Sequence, residues 1–273
     1  MLCFPNAKIN LGLNVVEKRS DGFHNIETIF YPIPLCDGLE ITNSKGSKIY
    51  EFNSSGIPIN IDNSDNIVVK AFELIKSQYK IPSTAIHLHK NIPFGAGLGG
   101  GSADAAFMIK MLNDFYKLEL SSEKMEDLAG KLGSDCPFFI QNTPVFAEGK
   151  GEIFSPININ LSGYYILLIK PDIHISTPEA YAGITPKPSK KPLQQLIELP
   201  IEEWKENIFN DFEDSIFPNH PKLAQLKSEL YENGAVYAAM SGSGSTIFGI
   251  FNKEPEIRQK WQIHFLWLGK LDS

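Results

Sequence analysis

Cysteine is scarce: Cys3, Cys36 and Cys136 stand far apart, and no CxxC pair occurs. An odd, scattered set argues against a disulfide framework or a cysteine-built zinc site, and it points to a reducing compartment. Clustered positive charge is also missing. Lys and Arg total 25 against 32 Asp and Glu, a formal net charge of −7, and no basic cluster is longer than Lys190-Lys191. No nucleic-acid footprint is therefore expected. No apolar run reaches the roughly 18 residues that suggest a membrane-spanning helix. The opening MLCFPNAKINLGLNV has no basic n-region, and Asn interrupts its apolar part, so it does not read as a secretion signal. These absences leave an acidic, cytoplasmic, globular protein as the expectation. At 273 residues, 42% of them hydrophobic, the chain suffices for one large domain or two ordinary ones.

Strand and helix signals are both present but do not alternate regularly. Ala7, Ile9, Leu11, Leu13 and Val15 share one face of a period-two segment, and Lys8, Asn10, Gly12 and Asn14 share the other. That pattern predicts a half-buried strand. Asp21-Gly22 marks a turn, and IETIFYPI and GLEITNS read as further strands. Helical spacing over NIVVKAFELIKSQY places Ile67, Ala71, Leu74 and Ile75 on one face, and TAIHLHKN returns to strand. After a glycine-rich segment, SADAAFMIKMLNDFYKL has a helical period. SSEKMEDLAGKLG reads as a second helix, from a Ser N-cap to Gly133. Strand character follows in SDCPFFIQ, TPVFAEGKGEIFSPI and YYILLIKP, and TPKPSKKP reads as a loop. LAQLKSELYENG predicts a helix closed by Gly234, and AVYAAMSGSGSTIFGIF a strand, a Gly-Ser loop and a strand. No internal repeat occurs. The mixture predicts an α+β fold rather than a doubly wound sheet.

The segment NIPFGAGLGGGSADAA, residues 91–106, carries the chemistry. Gly95-x-Gly97-x-x-Gly100 has the spacing of a dinucleotide fingerprint, but that motif needs a strand after its helix, and here a second helix follows. No lysine follows the glycines as it does in a Walker A loop. A bare strand-to-helix turn needs only one or two glycines. Five glycines between positions 95 and 101 carry a large ordering cost. Such density makes sense where backbone N–H groups approach an anion ahead of a helix N-terminus.

PFGAGLGGGSADAA is similar to the second motif of the GHMP kinase superfamily, P-x-x-x-G-L-G-G-G-S-[SA]-x-A, and GAVYAAMSGSGSTIFGIF resembles its third. PNAKINLGLNVVEKRSDGFHNIETIFYPI resembles a long form of the first motif. Its RSDGFH extension resembles the branch that phosphorylates 4-diphosphocytidyl-2-C-methyl-D-erythritol in the non-mevalonate isoprenoid route. KLGSDCPFFI and AEGKGEIFSPI match the same branch. Resemblance is dense from residue 5 to about 177, thinner to 235, and returns at the third motif. It implies a two-domain α+β fold: residues 1–154 would form an ATP-binding domain like ribosomal protein S5 domain 2, and residues 155–273 a ferredoxin-like domain. The expected activity is ATP-dependent phosphorylation of the 2-hydroxyl of that cytidyl substrate (CDP-methylerythritol), with Mg2+ accompanying ATP. Partners would be these small molecules, without nucleic acid or membrane, for a monomer or weak homodimer. Homoserine kinase, mevalonate kinase or a catalytically silent ligand sensor on the same fold are the alternatives.

The resemblance also implies roles for individual residues. Pro93, Phe94, Gly95, Ala96, Gly97, Leu98, Gly99, Gly100, Gly101, Ser102 and Ala103 would wrap the triphosphate, with Ser102 near Mg2+. Asn66 and Lys90 would line the adenine side. Residue types alone leave Asn66 equally as an N-cap and Lys90 as an exposed strand-end lysine. Asp135 would be the catalytic base; without the resemblance it reads first as an Asx-turn residue before Pro137. Lys8 would hold that carboxylate ionised and neutralise the moving phosphoryl group, with Asn10 adding a hydrogen bond. Phe23 and Tyr181 would sandwich the cytosine, and His24 and Thr177 would contact it. Gly242 and Ser243, with Gly244, would form a second glycine turn facing the first.

Overall fold

A computed structural model describes residues 1–44, 46, 48–59 and 61–271. The chain begins with strands β1 (Leu2–Cys3), β2 (Asn6–Lys18), β3 (His24–Cys36), β4 (Gly38–Asn43) and β5 (Tyr50–Gly56). Helix α1 (Ile67–Gln78), strand β6 (Thr84–Lys90) and helices α2 (Gly100–Tyr116), α3 (Ser122–Gly130) and α4 (Phe138–Gln141) follow. Next come β7 (Val145–Glu148), β8 (Ile153–Pro156) and β9 (Tyr165–Lys170). Helices α5 (Thr177–Ala182), α6 (Leu193–Leu196), α7 (Ile201–Asn207), α8 (Asp211–Ile216) and α9 (Pro221–Glu232) precede the last strands, β10 (Tyr237–Met240), β11 (Ile247–Phe251) and β12 (Phe265–Lys270). This mixture is α+β. Among the described residues no helix is long and apolar enough to cross a membrane.

The chain folds as two compact units. One comprises Met1–Ala7, Leu35–Phe94 and Gly99–Thr143; the other comprises Lys8–Pro34, Gly95–Leu98 and Pro144–Ser273. The first unit is built on a sheet of order β1-β4-β6-β5. Period-two patterning in β6 buries Thr84, Ile86, Leu88 and Lys90 and turns His87 and His89 outward. Strand β5 runs parallel to β6, and α1 lies between them in sequence, as a parallel pair requires. Helix α1 packs on α2 and buries Val68, Ala71, Phe72 and Ile75.

The second unit contains the antiparallel sheet β10-β11-β9-β12. Leu223, Leu226 and Leu230 of α9 join a core with Leu167, Ile169, Met240 and Ile247 from that sheet. Removing such apolar surface from water drives the assembly, at about 25 cal/mol per Å². The order β2-β3-β7-β8 forms a further sheet.

Four expectations from sequence need correction. Strand β2 is not half-buried: Lys8 and Asn10, on its polar face, are 4% and 2% exposed. Protein donors and acceptors replace water there, as buried polar groups require. SDCPFFIQ is not a strand but ends in the helical turn α4, where Phe138, Phe139 and Ile140 are all buried. Consecutive apolar residues have no period to separate the two states; here the left-handed backbone of Asn142 closes the turn. Helix α3 stops at Gly130, three residues short of Gly133. The buried face of α1 leaves Ile67 and Leu74 only half-buried.

Candidate active site

The glycine-rich segment is divided between the units, with Gly95–Leu98 in the second and Gly99 onward in the first. Gly95, Gly97 and Gly99 have φ of 57°, 74° and 70°, and the intervening Ala96 and Leu98 do not share that left-handed backbone. Alternation of this kind is a backbone pattern from which anion-binding concavities are built. Gly99 then serves as N-cap of α2, whose first N–H groups have no partner within the helix. Glycine is required at 97 on steric grounds as well: a Cβ there would stand 1.9 Å from the Ser241 carbonyl oxygen.

Within the second unit, β2 and the two glycine turns meet around one ammonium group. Lys8 Nζ donates to Asn10 Oδ1 at 2.6 Å and to the Gly97 carbonyl at 3.2 Å, and it lies 4.8 Å from the centre of the Phe30 ring. Asn10 Nδ2 donates to Thr28 Oγ1 at 2.9 Å, which orients the amide oxygen toward the lysine. Ser241 Oγ donates to the same Gly97 carbonyl at 2.8 Å and accepts from the Asn10 amide at 3.3 Å. Gly242, at φ 55°, brings the second turn against Asn10 and Gly97. Ser243 is half-buried beside it. Thr28 and Ser241 lie within the quoted motif segments but were not singled out, because each acts through contacts far away along the chain.

The DGFH turn is organised locally. Asp21 Oδ1 accepts from the Phe23 amide at 3.1 Å, and Arg19 pairs with Asp21 at 3.0 Å. The Arg19 hydrogen bond and the Phe23 N–H hold the Asp21 carboxyl below its usual range. His24 stacks on Tyr181 with ring centroids 4.5 Å apart and planes 13° from parallel. Phe212 buttresses the Tyr181 ring edge-on at 4.8 Å. Phe23 turns outward at 58% exposure, with the Lys150 ammonium 5.0 Å from its ring centre. Thr177 is exposed at the start of α5.

In the first unit, Asn66 is the N-cap of α1, its Oδ1 accepting from the Val68 amide at 2.9 Å. Lys90 is not an exposed strand-end lysine: it is 1% exposed. Its ammonium group is bonded to Asp37 and, at 2.7 Å, to Asp104. Asp37 Oδ1 also accepts from the amides of Asn91 and Ile92, at 2.6 and 2.9 Å, pinning the chain where β6 gives way to the glycines. Phe94 is 45% exposed, with its ring 5.2 Å from Lys90 Nζ. Pro93 and Ser102 are half-buried and Ala103 is buried. The Ser102 hydroxyl bonds the Cys136 thiol, which burial pushes up to about 11. Asp135 is half-buried between α3 and α4, and Ser134 Oγ donates to its Oδ1 at 3.3 Å.

Comparison with known proteins gives one consistent result. The family model for the GHMP kinases N-terminal domain matches residues 66–143, and that for the GHMP kinases C-terminal region matches 193–265. A protein of Parabacteroides distasonis named 4-diphosphocytidyl-2-C-methyl-D-erythritol kinase is 54% identical over 273 residues, covering 99% of this chain and 100% of its own. The Bacteroides fragilis protein of that name is 53% identical over 258 residues, 94% of each chain. A crystal structure of 4-(cytidine 5'-diphospho)-2C-methyl-D-erythritol kinase matches with a TM-score of 0.83 at 27% identity, covering 100% of both chains. Methanococcus jannaschii mevalonate kinase matches with a TM-score of 0.74 at 14% identity, over 100% of this chain and 98% of its own, a likeness of fold alone.

Proposed function

This chain belongs to the GHMP kinase family, and we propose that it phosphorylates the 2-hydroxyl of 4-diphosphocytidyl-2-C-methyl-D-erythritol with ATP. The products are the 2-phosphate and ADP, in the non-mevalonate route to isoprenoid precursors. One observation carries the chemistry: a buried ammonium, Lys8, rests on the Gly97 carbonyl of the phosphate-shaped loop. The substrate assignment rests on the nearly full-length relatives together with the RSDGFH turn.

Phosphoryl transfer asks the protein mainly to position its reactants and to stabilise charge. The backbone N–H groups of the glycine loop and the start of α2 take the ATP phosphates. Lys8, held by Asn10 and Gly97, stabilises the charge that develops on the transferred group. Asp135 accepts the proton of the attacking hydroxyl or orients that hydroxyl. His24 and Tyr181 supply the aromatic surface for the cytosine. Ser102 would supply one hydroxyl oxygen to hold Mg2+. Among the described residues no group of three or more His, Cys, Asp or Glu gathers to hold a metal. A bound Mg2+ would supply charge neutralisation on the ATP phosphates. The acidic chain with its three scattered cysteines suits a reducing cytoplasm.

The test is ADP release by the purified protein with ATP, Mg2+ and, in turn, the cytidyl substrate, homoserine, mevalonate or no acceptor. Release only with the cytidyl substrate is expected. Turnover of homoserine or mevalonate in its place overturns the substrate. Nucleotide binding without ADP release on any acceptor returns the silent-sensor alternative.

A further inference from the structure

We propose that Asn210 and Glu213, at the start of α8, are positioning residues that set the second glycine turn and, through it, the Lys8 ammonium. The proposal rests on the kinase assignment above and adds residues that none of the three family motifs contains. Asn210 is 2% exposed and Glu213 7%. Asn210 Nδ2 donates to two carbonyls, those of Met240 and Gly242, each at 2.8 Å. Its Oδ1 accepts from the Phe212 amide at 3.0 Å, which caps α8. One turn further on, Glu213 Oε1 accepts from the Met240 amide at 2.7 Å, while Oε2 takes Lys227 at 2.5 Å.

Both backbone polar groups of Met240, and the carbonyl of Gly242, are thus fixed by side chains from a single helical turn. Ser241 is the residue between them. Its hydroxyl donates to the Gly97 carbonyl, and Lys8 donates to that same oxygen. Its own carbonyl oxygen occupies the space that a Gly97 side chain would fill. The Leu13 amide donates to the Phe209 carbonyl at 2.9 Å, so strand β2, which bears Lys8 and Asn10, is tied to the same segment. These contacts all lie within the second unit. A displacement of the 240–242 backbone therefore carries the Gly97 carbonyl, and the lysine resting on it, out of place. A misplacement of about 1 Å at a reacting centre costs on the order of 10²-fold in rate.

The diagnostic variant is Asn210→Asp. It keeps an N-cap oxygen for the Phe212 amide and keeps the volume, but it removes both donors to the turn. Asn210→Ser, which also caps but reaches neither carbonyl, guards against a folding defect peculiar to a buried carboxylate. We expect kcat per folded molecule to fall roughly 10- to 100-fold in either variant, with KM for ATP and for the cytidyl substrate little changed. Amide exchange should quicken at Gly97 and at 241–244. A role confined to stability predicts a lower denaturation midpoint with kcat per folded molecule unchanged, and that result overturns the proposal. If the wild-type protein transfers phosphate to no acceptor, the kinase assignment fails instead. The exchange rates at Gly97 and 241–244 then decide: faster exchange supports the positioning role, and unchanged exchange removes it.

Discussion

Lys8 and Lys90 are both nearly withdrawn from solvent, at 4% and 1% exposure, and each belongs to a different unit. Lys90 is bonded to Asp37 and Asp104, both buried beside it. The contacts of Lys8 include an amide oxygen, a loop carbonyl and an aromatic face. The first lysine closes a structural charge cluster under β6 and α2. The second presents its charge on the carbonyl of a loop shaped for anions. Burial alone therefore does not define the role of a lysine.

The strongest way to break this contrast is Lys90→Met. It leaves Asp37 and Asp104 buried without their cation, and removing one partner of such a pair costs about 3–5 kcal/mol. Urea unfolding should show that loss, while kcat per folded molecule at permissive temperature changes far less. A midpoint equal to that of the wild type would show that the cluster is not structural.

A smaller effect sharpens the same point. Burial raises the Asp104 carboxyl well above its ordinary value; Asp37 adds to this and Lys90 opposes it. Its Oδ1 has no hydrogen-bond partner. A raised folded-state value means that the native protein binds the proton more readily than the unfolded chain. Stability from this group is then full below the ordinary carboxylate range and is lost as pH rises through that range toward the folded value. Asp104→Asn removes the dependence, so the variant should gain on the wild type as pH rises, by about 1 kcal/mol near neutrality. Parallel stability curves for the two proteins, followed by denaturation across pH, would contradict this.

The contrast was only partly visible in the sequence. Gly95, Gly97 and Gly99 announced a tight loop, because three left-handed positions in five residues demand glycine. The period-two pattern of β2 and the helical period of α2 were equally legible, since each rests on neighbours in the chain. Lys90 was less so: a strand-end lysine looks solvated until Asp37, 53 residues away, is brought beside it. Ser241 meets Gly97 across 144 residues and Asn210 reaches Met240 across 30, and no local pattern encodes either meeting. The polar face of β2 misled for the same reason. Period-two spacing says which residues share a face, but not whether water or Thr28 and Gly97 will cover it.

The most direct test of the account is the single-turnover rate of phosphoryl transfer by Lys8→Met, with ATP and the cytidyl substrate both saturating. A fall of roughly 10²- to 10³-fold, the loss typical when a charge-stabilising donor is removed from a transition state, is the predicted result. A rate within about threefold of the wild type would show that the buried ammonium on Gly97 is not the group that carries the chemistry.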